Sequence, residues 1–418
     1  MPNNANGNVL YRDDDFPTEG DFSEKNEGIF PERNIKKPNT CIFYIIIVLY
    51  KIEQFLARET DMQLNEIISA FAVKETIVRH ENFGGGHINS TFKVTAESGR
   101  KYILQRINQN VFSDPVALMG NVRAVSEYIR CHSDGERRSL EFVPTAQGGV
   151  CYQDEEGVYW RLYRYVDGLC LDVPECDEDF YQSAVAFGQF LEWLKGFPVE
   201  TLYEPIPNFH NTPYRYRQLK EAIEKNGAGR CESARREIEI ALKLEEAAGV
   251  LQAMRESGVL PLRVTHNDTK LNNVLLDPHT RQYICVLDLD TVMPGLSAYD
   301  FGDAIRFGAA TAAEDEQDAS KMRLDLHLFE VFARGFIQAA PSLTKEEIQA
   351  LPLGAFTMTL EVGIRFLADY LNGDVYFKTA YPEHNLVRTR TQLTLANDMI
   401  VKRKEMERII AEIVAELQ

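Results

Sequence analysis

Val264-Thr265-His266-Asn267-Asp268-Thr269-Lys270-Leu271-Asn272-Asn273-Val274-Leu275-Leu276-Asp277 is the stretch on which the fold turns. It fits the pattern H-x-D-x-x-x-x-N, with three apolar residues after Asn273 that suit a strand. Asp277-Pro278-His279-Thr280 is turn chemistry, and Tyr283-Ile284-Cys285-Val286-Leu287 reads as a strand running back. That return ends at Asp288-Leu289-Asp290, so a short hairpin brings Asp288 beside Asn273. Phosphoryl transfer needs such a grouping. Carboxylate and amide oxygens hold a magnesium ion, and a further carboxylate orients the attacking hydroxyl. Asn273 and Asp288 suit the metal, which leaves Asp268 facing the acceptor.

A second stretch, Ala298 to Arg306, contains Asp300-Phe301-Gly302, the letters of the metal-binding motif of protein kinases. Spacing decides against that role. Asp300 lies 27 positions past Asn273, beyond the hairpin, whereas Asp288 lies 15 past it, where the returning strand ends. The letters are a decoy.

The rest of the chain sets bounds. Its 418 residues are 44% hydrophobic and 26% charged, a globular composition with room for two or three domain-sized units. A net charge of −18, spread rather than blocked, argues against a nucleic-acid partner, which would need a basic face. The seven cysteines form no C-x-x-C pair, so neither a disulfide framework nor a cysteine metal site is expected, and a reducing cytoplasm is the simplest setting. Residues 1–61 differ in character. Their first half is polar and aperiodic and reads as disordered. The apolar run Cys41–Tyr50 is too short to cross a membrane, which takes about 20 residues, and no cleavage site follows it. The segment is a misassigned extension ahead of a true start at Met62, or else an uncleaved tail or peripheral anchor.

From Glu81 the pattern becomes strand-like, with a Gly-rich turn and two short runs split by Glu97-Ser98-Gly99-Arg100. A helix is expected over Pro115 to Arg130, then further strands through Tyr165. Beyond Asp167 helical periodicity dominates, in the run from Asp177 and again from Glu232 to Ser257. The expected fold is α+β and two-lobed, with a small β-rich lobe over residues 62–165 and a larger helical lobe over 166–418.

The hairpin, Val286-Leu287-Asp288-Leu289-Asp290-Thr291-Val292-Met293-Pro294-Gly295 and Tyr299-Asp300-Phe301-Gly302-Asp303 together resemble the aminoglycoside phosphotransferase and choline kinase superfamily, which has a protein-kinase-like fold. Within it, the chain is most similar to the N-acetylhexosamine 1-kinases over roughly residues 62–418, through stretches such as "GGGHINSTF", "YILQRIN" and "IPNFHNTP". The resemblance implies Asp268 as the catalytic aspartate and Asn273 and Asp288 as magnesium ligands. It implies ATP as co-substrate and a small sugar as acceptor. Asp300 would fix the catalytic loop through backbone amides, and His266 would support the loop. A kinase of another small alcohol (choline, ethanolamine or an aminoglycoside) and a silent pseudokinase are the alternatives.

On the nucleotide side, Gly84, Gly85 and Gly86 could cover phosphates with backbone N–H groups, or form only a flexible turn. No P-loop motif is present. The strand Tyr102–Asn108 has no lysine where a phosphate-pairing cation is expected, so Arg106 is the candidate, with Glu127 as its partner or merely an exposed helix residue. Tyr163 and Tyr165 sit where the lobes join and where backbone would pair with adenine. On the acceptor side, Glu361, Arg365 and Asp369 share one helix face, as surface ion pairs or as a stripe facing the cleft. The resemblance implies Arg365 and Tyr376 as hexosamine contacts. His87 and Asn89 are near enough to the glycines to reach an acceptor, and His210 and Asn211 are weaker candidates. A chain beginning at Met62 is expected to fold and turn over like the full chain. A large drop in activity or melting temperature of that shortened chain would refute it.

Overall fold

The computed structural model describes residues 63–84, 89–133 and 138–417. The expectations for residues 1–61, and for Gly85, Gly86 and His87, fall outside the described residues. Strands β1 (Ile77–Asn82), β2 (Ser90–Ala96), β3 (Lys101–Arg106), β4 (Phe142–Val143), β5 (Tyr152–Gln153) and β6 (Tyr159–Arg164) form one antiparallel sheet. Its path is β1-β2-β3-β6-β4, with β5 pairing β6. Strand alternation gives the sheet two different faces. Tyr102, Leu104, Trp160 and Leu162 pack with Leu64, Ile67, Ile68 and Phe71, the first three from the helical residues 63–69. Ile103, Gln105, Arg161 and Tyr163 point the other way, since directly paired residues share a face.

Helix α1 (Pro115–His132) interrupts the strands as expected. Asp114 caps it, accepting from Ala117 N at 2.9 Å, and a proline occupies its first turn, where the missing N–H costs nothing. Its buried face, Leu118, Met119, Val122, Val125 and Ile129, joins the core of the helical region rather than that of the sheet. The run from Glu232 to Ser257, read from sequence as one helix, breaks into Arg235–Lys243, Glu245–Ala248 and Val250–Glu256. The breaks fall at Leu244 and Gly249, and glycine is a weak helix former.

The helical core is built on aromatic contacts among α2 (Asp177–Trp193), α7 (Ser297–Gly308) and α8 (Leu326–Ala339), with α3 to α6 being Thr212–Lys225 and the three short helices just named. Phe301 is fully buried against Phe329, Phe332 and Phe336, with ring centroids 5.5–5.7 Å apart. The long helices α9 (Lys345–Asn372) and α10 (His384–Leu417) complete the layer. Helix α9 alone among the described helices is long and apolar enough to cross a membrane, but 89% of that window is buried inside the fold. A capping box of Thr344 and Glu347 starts it, and Gly373 at φ 97° ends it.

The decoy letters are spent on packing. Gly302 of α7 meets α9 at Gly354, where an added Cβ would fall 2.3 Å from the Gly354 carbonyl oxygen. The reverse contact is as close, with a Cβ on Gly354 falling 2.3 Å from Ala298 O. Such an approach holds α7, and Asp300 with it, at a fixed depth. Gly354→Ala is therefore expected to destabilise the fold by about 1–3 kcal/mol through overpacking, read as a lower melting temperature. An unchanged melt would show that the helices can part at no cost.

Candidate active site

The hairpin forms as the sequence reading requires. Strands β7 (Val274–Leu276) and β8 (Tyr283–Val286) pair antiparallel, and Leu287 N donates to Asn273 O at 2.7 Å. This places Asp288 next to Asn273. The Asn273 amide donates Nδ2–H to Asp268 O at 2.8 Å and lies 3.1 Å from Asp268 Oδ2, leaving its own oxygen for another partner. The structure thus brings Asp268, Asn273 and Asp288 together.

Two buried carboxylates hold the loop. Asp300 accepts the His266 and Asn267 backbone N–H groups at 2.9 and 2.7 Å. Asp303 accepts from Thr269 N at 3.0 Å. Asn267 sits at φ 63°, a left-handed conformation that costs energy in a non-glycine residue and persists only where neighbours impose it. Its side chain donates to Thr291 O at 2.9 Å. His266 bonds Leu287 O through Nε2 at 2.8 Å and takes the Asp268 N–H on Nδ1 at 3.3 Å. Burial pushes the Asp300 carboxyl up to about 6. Burial acts the same way on Asp303, but the Arg306 charge and hydrogen bonds outweigh it and hold that carboxyl below its usual range.

Asp288 is also left-handed, at φ 54°. Its side chain is open to solvent along the cleft yet surrounded by protein on its other sides. Desolvation first, and then the Asp290 and Asp268 carboxylates, push it up to about 7. Lys270, inside the motif but not singled out by the sequence reading, has its ammonium 3.2 Å from Asp268 Oδ1. Burial alone would lower its pKa, but the Asp268 and Asp303 charges raise it.

Arg106 is not the cleft cation. It is exposed and pairs across the sheet with Trp160 and Ser90, on the face turned from the helical region. Even and odd positions of a strand face opposite ways, so an offset of one residue decides this. The cleft-facing position is Gln105, and its cross-strand partner Arg161 supplies the charge. Arg161 forms a buried, two-pronged ion pair with Asp290 and donates Nε–H to Gln105 Oε1 at 2.8 Å. The sequence held one signal for this, an arginine set between Trp160 and Leu162, although Arg164 lies in the same strand. Glu127 makes only an exposed contact with Arg123 at 3.6 Å.

Asn89 is likewise turned inward. It donates to Asp290 Oδ2 at 2.7 Å and accepts from Asn108 N at 3.0 Å, so both ends of its amide are engaged within the protein rather than free for an acceptor. Gly84 adopts φ 73°, a turn conformation open to glycine. Tyr165 packs edge-on to Phe83, just before the glycine turn, with centroids 5.7 Å apart. Tyr163 packs on Phe142 at 5.3 Å, within an apolar cluster of Leu140, Val166, Leu275, Ile284 and Cys285. Burial raises the Tyr163 hydroxyl pKa well above its ordinary range.

The supposed stripe on α9 is not one. Glu361 is fully buried, accepting from His210 Nδ1 at 2.8 Å and Thr212 Oγ1 at 2.7 Å. Asp369 accepts the N–H groups of Val375, Tyr376 and Phe377 at 2.9–3.0 Å. Neither is a surface partner of Arg365. The Arg365 guanidinium instead lies between the rings of Phe209 and Phe377, 5.1 and 5.7 Å from their centroids. It lines a cavity of about 250 Å³ with Arg215, Asp369, Tyr376 and Phe377. His210 reaches Asn267 O through Nε2 at 3.2 Å, so it ties this wall to the catalytic loop. Asn211 caps α3, accepting from Tyr214 N at 3.1 Å.

Comparison with known proteins agrees with this geometry. Residues 79–336 match the model of the phosphotransferase enzyme family, APH. Among solved structures, the microcompartment-associated aminopropanol kinase aligns at a TM-score of 0.54 and 17% identity, over 83% of this chain and 98% of that one. An amicoumacin kinase in complex with AMP-PNP, Ca2+ and Ami aligns at 0.53 and 14%, over 82% and 95%. Spectinomycin phosphotransferase in complex with ADP and spectinomycin aligns at 0.52 and 10%, over 82% and 98%. At these identities the likeness is one of fold, an antiparallel sheet followed by a helical region, while the family match spans well over half of the sequence. The chain belongs to the phosphotransferase enzyme family.

Proposed function

We propose that the chain transfers the γ-phosphoryl group of ATP to the anomeric hydroxyl of an N-acetylhexosamine, giving the sugar 1-phosphate and ADP. The observation that carries the reading is the cavity around Arg365, whose guanidinium packs on Phe209, the neighbour of the His210 that bonds Asn267 O. The cavity is small, and Arg365 in it has no carboxylate partner among the described residues. Arg215 lines the same cavity, and burial followed by the Arg365 charge lowers its pKa. Two guanidiniums oppose a cationic acceptor such as choline, ethanolamine or an aminoglycoside, and the one carboxylate of that lining, Asp369, is already engaged by the backbone N–H groups of Val375, Tyr376 and Phe377. A neutral sugar with hydroxyl and acetamide oxygens suits them, and the resemblance to N-acetylhexosamine 1-kinases points the same way.

In the proposed reaction Asp268 accepts the proton of the anomeric hydroxyl as its oxygen bonds to the γ-phosphorus and the bond to ADP breaks. Lys270 and Asn273 hold the Asp268 carboxylate in place. The purine fits the apolar cluster around Leu275, Val166 and Tyr163, with the glycine turn over the phosphates. The donor set suits magnesium. Asn273 and Asp288 offer hard oxygens, and phosphate oxygens of a bound nucleotide would complete the shell. Bound there, the ion would offset charge developing on the phosphates.

Asp288→Asn is expected to abolish metal-dependent turnover. Asp300→Asn puts an amide donor against a backbone N–H, a loss of about 1–3 kcal/mol in stability, with metal affinity kept. A magnesium titration beside a thermal melt separates the two, and the opposite pattern would overturn the assignment.

Arg365→Ala is expected to raise the KM for N-acetylhexosamine by roughly ten- to a hundredfold, the loss of about 1.5–3 kcal/mol from a charged hydrogen bond, with the KM for ATP barely changed. Steady-state kinetics across a panel of sugars and amino alcohols, with both substrates varied, checks this. Unchanged sugar KM and turnover would remove Arg365 from the site.

A further inference from the structure

Two side chains of the β-rich region converge on one carboxylate of the helical region, and a third steadies them. Arg161 grips both oxygens of Asp290, with Nη2 to Oδ2 at 3.0 Å, and both residues are only 3% exposed. Asn89, at the end of the glycine turn, adds its amide N–H to Oδ2 at 2.7 Å. Gln105 steadies Arg161 from across the strand and is itself anchored, donating to Thr91 Oγ1 at 3.0 Å.

Asp290 is two residues from Asp288 and chemically as good a ligand for a hard cation. Geometry separates the pair. Asp288 opens to the cleft, whereas both oxygens of Asp290 are consumed inside the protein. We propose that Arg161 withholds Asp290 from the metal, so that Asp288 and Asn273 are the metal ligands the chain supplies, and that the Arg161–Asp290 pair positions them against the sheet. The inference rests on the metal reading of Asp288 and Asn273 given above. Its physical logic is charge count. Asp268, Asp288 and Asp290 would put three carboxylates around one ion and the phosphates, and each added carboxylate tightens a cation while repelling phosphate. The arginine cancels one of the three and turns it into a joint between sheet and hairpin. No cation on β3 is then needed for that joint.

The test is Mn2+ binding by the full chain in the presence of ADP, read from the electron paramagnetic resonance signal of free Mn2+. Asp288→Asn, Asp290→Asn, Arg161→Gln and the double variant Arg161→Met/Asp290→Leu are each melted first. Asp288→Asn is expected to weaken Mn2+ by roughly tenfold or more, while Asp290→Asn and the double variant stay within about threefold of native. Arg161→Gln should bind Mn2+ severalfold more tightly, because it frees a carboxylate, and yet turn over more slowly. A residue that served stability alone would not move those two readouts in opposite directions. If Arg161→Gln fails to fold, the double variant decides, since it leaves no unpaired buried charge. Kept Mn2+ affinity with reduced kcat supports the proposal, and lost Mn2+ affinity overturns it. Asp290→Asn losing Mn2+ as badly as Asp288→Asn, with a native-like melt, would make Asp290 a ligand and sink this inference alone. Mn2+ retained by Asp288→Asn would overturn the metal reading and the inference with it.

Discussion

A carboxylate buried under the catalytic loop is the constraint on which the site depends. Asp300 faces the two backbone N–H groups of His266 and Asn267, and Asp303 takes that of Thr269. These bonds stabilise a loop that must pass through a left-handed Asn267 to aim Asp268 into the cleft. Without them the loop would lose three buried N–H partners at once, and buried unsatisfied donors are costly. The helix that carries both acids is fixed in turn, by Phe301 in the aromatic core and by the glycine contact of Gly302 with Gly354. Catalytic geometry therefore derives from helix packing several layers removed from the reacting atoms.

The β-rich region reaches the same site by a different route from the lysine–glutamate pair of protein kinases. Its charge comes from β6, and its acidic partner lies across the cleft on the returning hairpin. That moves the ion pair from within one region to the joint between two. A buried pair of this kind is weak evidence for stability but strong evidence for a defined arrangement, since breaking it leaves a charge uncompensated. On the acceptor side the segment around Phe209 and His210 performs a similar junction. Phe209 packs on Arg365, and His210 reaches from Glu361 to the carbonyl of Asn267. Both nitrogens of His210 face acceptors, so one side chain ties helix α9 to the loop that carries Asp268.

Much of this was legible before any coordinates. The β-rich then helical order, the hairpin from Asn273 to Asp288 and the exclusion of Asp300 from that hairpin followed from local pattern and from distance along the chain, while the hold of Asp300 on the loop was what the family resemblance implied. The first three are short-range: a turn of Asp277 to Thr280 returns a strand by a known length, and 27 residues cannot fit where 15 do. Asp288, Asn273 and Asp268 meet because a two-stranded hairpin leaves them little alternative.

What the sequence by itself determined is the fold class and the grouping of oxygen ligands on that hairpin. The tertiary structure alone decided which charged residues face the cleft. Arg106 and Gln105 are neighbours in sequence but lie on opposite faces of β3, and only the sheet's burial against residues 63–71 shows which face is free. Glu361 and Asp369 look identical to surface charges in a helical repeat, yet one is locked to His210 and the other to a loop beyond Gly373. A charged side chain's role depends on the partner it meets, and these partners come from segments up to about two hundred residues away, as with Asn89 and Asp290. Periodicity records which face a residue shares with its near neighbours. It carries no record of what that face will be pressed against.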